Sequence, residues 1–110
     1  MKAVSTGNNL TAGSKTTVYT VPTGYYAKWN LCYISNHTGN NKTVSVWWYD
    51  SSAAVEITVI DAYQLATTQY LRFDGAAYVV LEEGDQVRIT PEAASSMSAI
   101  NTFELYRKGE

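Results

Sequence analysis

Residues 16–36, TTVYTVPTGYYAKWNLCYISN, leave this chain little choice but a β-fold. Residues 16–21 are all β-branched or aromatic, side chains that fit a pleated, half-buried surface and lose freedom in a helix. Pro22 has no amide donor for a ladder, so the first strand ends there. Thr23 and Gly24 turn the chain, and a second strand is expected over residues 25–35. It closes at Asn36-His37-Thr38-Gly39-Asn40-Asn41, a run of turn formers. Read as a flat strand, it puts Ala27, Trp29, Leu31 and Tyr33 on one face and Lys28, Asn30, Cys32 and Ile34 on the other. Neither face is purely apolar. A bulge near Asn30 and Leu31 resolves the conflict, because it lets Trp29, Cys32 and Ile34 point the same way.

The rest of the chain keeps this rhythm. Residues 42–49 alternate, with Val44, Val46 and Trp48 toward a core and Thr43, Ser45, Trp47 and Tyr49 away from it. Residues 55–60 follow, with Val55, Ile57 and Val59 inward. The run DAYQLATT at 61–68 is too short for a helix unless packed, and reads better as an irregular crossover between sheets. Strands at 69–73, 76–81 and 86–90 carry Leu71, Phe73, Val87 and Ile89 inward. The turns between them are Asp74-Gly75, a strong tight-turn dipeptide, and Glu82-Glu83-Gly84-Asp85. Pro91 and a small-residue loop precede a last strand at 97–107. About eight strands with regular turn signals predict an all-β fold, an antiparallel β-sandwich or jelly roll. Residues 1–15 are polar and broken by Gly7 and Gly13, and are expected to form a flexible N-terminal arm. Residues 16–110 then form a single β-sandwich domain, a size that buries a core without staples.

Bulk properties exclude several functions. The formal net charge is −2, so no broad basic surface is available for phosphate, and nucleic-acid binding is not expected. No segment approaches the roughly 20 apolar residues of a membrane span, and the first residues lack a signal-peptide plan, so folding in a cytoplasm is expected. The single cysteine, Cys32, makes no intrachain disulfide and reads as a buried, inert thiol. One histidine, His37, lies in a polar turn without a nucleophile elbow, and one Cys with one His cannot build a zinc site. The carboxylates Asp50, Asp61, Asp74, Glu82, Glu83 and Asp85 sit at turns, where they are ordinarily solvated. They lack the spacing of a calcium loop. The chain is therefore read as a non-enzyme without cofactor or metal.

Aromatic usage is the feature left over: nine Tyr, three Trp and two Phe are more than this core is expected to hold. Trp48 and Phe73 are the expected core members. Trp47 and Tyr49 fall on the face opposite Val44 and Val46, and Tyr25, Tyr70 and Tyr106 are hard to bury together. Such residues are enriched at protein interfaces, and they also stack on sugar rings; the third reading is that the second sheet covers Trp47 and Tyr49 as core.

Four stretches together resemble a group of small virion proteins of tailed bacteriophages: Val21-Pro22-Thr23-Gly24-Tyr25, Ile34-Ser35-Asn36, Trp48-Tyr49-Asp50 and Val80-Leu81-Glu82-Glu83-Gly84-Asp85-Gln86-Val87. The likeness in spacing runs over about residues 10–106. It implies a capsid decoration or cement protein that stabilises the head by bridging major capsid subunits, or a tail-associated part. It also implies a place in the virion, assembled in the host cytoplasm. The low charge density and the Thr-, Ser-, Asn- and Tyr-rich strands suit close packing between identical subunits, so self-association as a homotrimer is expected. Trp47, Tyr49, Tyr25, Tyr70 and Tyr106 are the expected interface residues. The alternative is a tail or fibre module that binds a host surface glycan through exposed Trp and Tyr.

Overall fold

A computed structural model describes residues 1–73 and 79–109. Its strands, in chain order, are β1 (Lys2–Leu10), β2 (Thr16–Thr20), β3 (Tyr25–Asn36), β4 (Lys42–Asp50), β5 (Val55–Leu65), β6 (Tyr70–Phe73), β7 (Val79–Leu81), β8 (Gln86–Pro91) and β9 (Met97–Arg107). One antiparallel sheet has the order β1-β9-β3-β6, with β7 also paired to β3; the other runs β2-β8-β4-β5. The two sheets pack as a sandwich of nine strands, without a helix among the described residues. This is the all-β antiparallel architecture expected from the alternation. Residues 1–15 contain β1, which pairs with β9 throughout Lys2–Leu10. The expected Asp74-Gly75 turn and residues 76–78 lie outside the described residues.

The β3–β9 pair sets the core. Its register shifts between Trp29, opposite Phe103, and Leu31, opposite Thr102. This is the expected bulge, and its effect is to bury Ala27, Trp29, Cys32 and Ile34 together. Trp29 and Phe103 stack with centroids 6.5 Å apart, Tyr19 covers the Phe103 ring at 4.2 Å, and Phe73 meets Trp29 edge-on at 5.1 Å. The indole N–H of Trp29 donates to Asn101 Oδ1 at 3.1 Å, so this buried aromatic leaves no orphan donor. From the other sheet Val44, Val46, Val87 and Ile89 close the layer. Trp48 and Phe73 pack at the margin of the core, and among the described residues the fully buried aromatics are Trp29 and Phe103.

Strand β5 departs from the sequence reading in two ways. It continues as strand to Leu65, so the crossover begins later than residue 61. Register shifts along its pairing with β4, and a left-handed backbone at Ala62 (φ 47°), absorb the extra residues as bulges. Val55 and Ile57 stand opposite Asp50 and Trp48, on the core side, yet stay 45% and 42% exposed. The reason is position: β5 is an edge strand. Val59 does pack against the core.

A polar hub ties each end. The buried carboxylate of Asp85 accepts from Trp48 Nε1 (3.0 Å), Glu82 N (2.9 Å), Ser51 N (3.0 Å) and Ser51 Oγ (3.0 Å). Charge-assisted bonds of this kind compensate the loss of water around a buried anion. The hub holds the β4–β5 turn against the β7–β8 turn. Gly84 makes the approach possible: its φ is +82°, and a Cβ there would lie 2.9 Å from Ser51 Oγ. At the opposite end the buried Asn36 donates to the carbonyls of Leu65 (3.0 Å) and Asn40 (3.2 Å) and accepts from Thr38 N (2.9 Å).

Asp85→Ala leaves several buried donors without their acceptor and is expected to cost about 1–3 kcal/mol in urea unfolding, the range for leaving a buried polar group unsatisfied. Trp29→Ala should cost about 3–5 kcal/mol through cavity formation. A loss under about 1 kcal/mol for Asp85→Ala would show that the hub does not hold the turns.

Candidate functional site

The outer faces of the two sheets differ in character. On the four-stranded sheet, Trp47 and Tyr49 point away from the core, but neither ring is free. Lys15 Nζ sits 4.2 Å above the Trp47 ring, and the Arg88 guanidinium lies 4.2 Å from that of Tyr49. One carboxylate holds both cations: Glu56 bonds Lys15 Nζ at 2.8 Å and Arg88 Nη1 at 2.9 Å. Gln86 Oε1 accepts two further bonds from Arg88, at 2.9 and 2.7 Å. The Lys15 hydrogen bond, helped by Arg88, holds the Glu56 carboxyl below the usual carboxylate range. This face is a closed lattice of paired charges over aromatic rings.

The five-stranded sheet presents something different. The bulge that turns Trp29 and Cys32 inward sends Tyr26, Lys28, Leu31 and Tyr33 outward on β3. Strand β9 alternates in step and offers Ile100, Thr102, Glu104 and Tyr106. Tyr26 stacks on Tyr106 with centroids 5.2 Å apart, and Tyr33 on Tyr70 at 5.1 Å. Between and beside the pairs, Ile100 is 47% exposed, Tyr70 56% and Val80 43%. Lys28 Nζ lies 5.3 Å from the Tyr106 ring. Tyr106 donates to Glu104 Oε1 at 3.0 Å, which lowers the Glu104 carboxyl and raises the Tyr106 phenol. The result is a semi-rigid aromatic and aliphatic face on paired strands, with its own polar groups at the side.

The five residues singled out by sequence thus separate. Tyr70 and Tyr106 lie on the open face. Trp47 and Tyr49 lie on the opposite one under Lys15 and Arg88. Tyr25 packs against the core end with the Arg107 guanidinium 5.9 Å from its ring. Tyr26, Tyr33, Leu31 and Ile100 are absent from the set chosen by sequence. A signal exists for those on β3: once a bulge is placed at Asn30, alternation assigns Tyr26, Leu31 and Tyr33 outward, while Ile100 follows from the phase of β9.

Other chemistry is spoken for. His37 Nε2 lies 3.0 Å from Ser98 Oγ, whose proton goes to Asn9 Oδ1 at 2.8 Å. The histidine therefore donates to the serine and does not accept its proton, the reverse of what activates a nucleophile. Burial pushes the Cys32 thiol up to about 12. Asp85, expected at a solvated turn tip, is instead the buried hub described above. Glu83 accepts from Gly24 N at 2.7 Å and pairs with Lys108 at 3.2 Å, tying the chain end to the β2–β3 turn. No group of three His, Cys, Asp or Glu among the described residues is placed to hold a metal ion.

No protein-family model and no curated protein matches the chain. Solved structures do. A structure of Bacillus endospore appendages, described as a family of disulfide-linked pili, aligns with TM-score 0.55 and 19% identity over 96% of this chain and 85% of that one. A cyanophage Pam1 capsid chain aligns with TM-score 0.51 and 17% identity over 93% and 82%. The globular domain of zebrafish complement 1qA aligns with TM-score 0.50 and 17% identity over 96% and 98%. At such identities the likeness establishes the jelly-roll-like sandwich and leaves function to the site.

The contacts of Glu56, Glu83, Glu92 and Glu104 all lower those carboxyls: a Lys15 bond at Glu56, backbone N–H bonds at Glu83 and Glu92, and the Tyr106 hydroxyl at Glu104. A folded-state value below the unfolded one, near about 4.3, gives stability that is present above that pH and is lost as pH falls through the folded value. The melting temperature is therefore expected to drop progressively below about pH 4.3. A melting temperature unchanged from pH 5 to pH 3 would show these contacts to be without weight.

Proposed function

We propose that the chain is a non-enzymatic structural protein of a tailed-phage virion, a decoration or cement subunit that bridges major capsid subunits. The observation that carries this reading is the open face of the five-stranded sheet. Tyr26, Tyr33, Tyr70, Tyr106, Ile100 and Val80 offer large, rigid contact area that loses little conformational entropy on docking. The resemblance of its turn motifs to small phage virion proteins, and a sandwich shared with a cyanophage capsid chain, support the setting. The mechanism is mechanical. A subunit that binds only the assembled shell stabilises it by mass action, because separating capsid subunits also breaks its contacts. Self-association as a homotrimer at three-fold positions lets each copy reach more than one capsid subunit.

The glycan alternative loses support at Trp47 and Tyr49, since Lys15 and Arg88 occupy the ring faces that a sugar would stack on. It remains testable on the same protein by intrinsic fluorescence during titration with host-envelope polysaccharide.

The deciding assay is binding of purified protein to empty heads that lack it, with bound copies per head counted. Saturation at a symmetry-related number, and heads that resist heat better, are the expected results. Ile100→Asp should weaken head binding by at least about tenfold while leaving the melting temperature nearly unchanged, as its side chain is half exposed. Full-strength binding by Ile100→Asp would move the interface elsewhere, and no binding by the parent protein at micromolar concentration would remove the head reading.

A further inference from the structure

Strand β1 rests on a polar seat. Its inward residues are Val4, Thr6, Asn8 and Leu10, of which only Leu10 is buried as a whole. Thr6 Oγ1 and Asn8 Oδ1 are shut off from solvent without a hydrogen-bond partner among the described residues. So is Nδ2 of the fully buried Asn101, which faces Thr6 across the ladder while its Oδ1 serves Trp29. Buried polar groups normally find partners, and those that do not weaken the packing that holds them. What retains β1 is its backbone ladder to β9, nine residues long, from Lys2 opposite Leu105 to Leu10 opposite Met97, with the buried Leu10 and two exposed side-chain contacts, Ser98 Oγ to Asn9 Oδ1 and Ser5 to Thr102. The strand joins the rest of the chain through residues 11–15, a turn closed by Ser14 N donating to Thr11 O at 3.1 Å, with Gly13 at φ +71°.

We propose that β1 is an exchange strand: where copies of this chain are held side by side, residues 2–10 leave their own β9 and pair with β9 of a neighbouring copy. The occupant is a second copy because the vacated edge is matched to this strand. It offers nine consecutive backbone pairs, apolar positions for Val4 and Leu10, and a hydroxyl contact of 2.9 Å between Ser5 and Thr102. Exchange rebuilds every one of these contacts between chains, so the two forms differ only in the hinge and in the proximity of the copies. Straightened, residues 11–15 reach up to about 17 Å. In dilute solution the tether gives β1 a high effective concentration at its own β9 and keeps it there; crowding of copies removes that advantage. The exchange deepens the structural role proposed above, on which it rests only for where the copies are gathered. It is tested on the free protein.

The double variant Ser5→Cys with Thr102→Cys places a thiol pair on the exposed side of the ladder. Cys32, buried with its thiol pushed up to about 12, does not compete. Isotopically light and heavy copies are mixed at micromolar and at millimolar concentration, oxidised, and separated without reductant; mass spectrometry reads the linked peptides. The expected result is intrachain links when dilute. When concentrated, light–heavy chains joined through the two introduced thiols should rise at least about tenfold. Intrachain links alone at every concentration would overturn the proposal. Hydrogen exchange on the unaltered protein gives a second reading: β1 amides should exchange at least about 100-fold faster than those of the β3–β9 ladder, as a strand that opens by itself must. Equal protection would also overturn it. Should exchange occur while head binding fails, the exchange strand stands and the head reading falls.

Discussion

The bulge at Asn30 is the constraint on which this structure depends. The long strand β3 carries two apolar sets that are out of phase, and a flat strand would send one of them to solvent. Inserting one unpaired residue between Trp29 and Leu31 brings Trp29 into register with Cys32 and Ile34. The same insertion decides the other face, because Tyr33 and Leu31 must then point outward with Tyr26. A core centred on Trp29 and Phe103 and an open aromatic face are thus two consequences of one local choice.

The two polar hubs explain why the turns stay where the sheets need them. Asp85 draws Trp48, Ser51 and Glu82 to one end, and its backbone carbonyl takes Val21 N at 3.0 Å. Three of the four stretches that resemble phage virion proteins therefore touch: the Val-Pro-Thr-Gly turn, the Trp-Tyr-Asp strand end and the Gly-Asp hairpin. Their spacing is explained by the geometry of this end of the sandwich. It reports how the fold is fastened. The docking surface proposed above lies elsewhere, on the outward positions of β3 and β9.

The two outer faces show how composition misleads where contacts decide. Trp47 and Tyr49 alternate out of phase with Val44 and Val46, and the structure keeps that phase. Their partners come from β8, from β5 and from the loop before β2, far apart in sequence. Lys15, Arg88 and Glu56 assemble over the rings only after the strands have been brought together. On the other face the tyrosines stack on one another, Tyr26 on Tyr106 and Tyr33 on Tyr70, and leave Ile100, Tyr70 and Val80 toward solvent.

Local chemistry in the sequence determined the elements. β-branched and aromatic runs, Pro and Gly punctuation and a period of two set the strands, the antiparallel sandwich and even the bulge, because side-chain direction along a strand is a near-neighbour property. Tertiary structure alone decided what pairs across space. It made β5 an edge strand, which leaves Val55 and Ile57 exposed despite correct phase. It buried Asp85 in a net of donors drawn from two turns and a strand, where a turn-tip carboxylate would otherwise stay in water. It seated β1 beside Asn101 with polar atoms unpaired. Each of these depends on which strands become neighbours, and strand order follows from the energy of long-range packing that no local run of residues encodes.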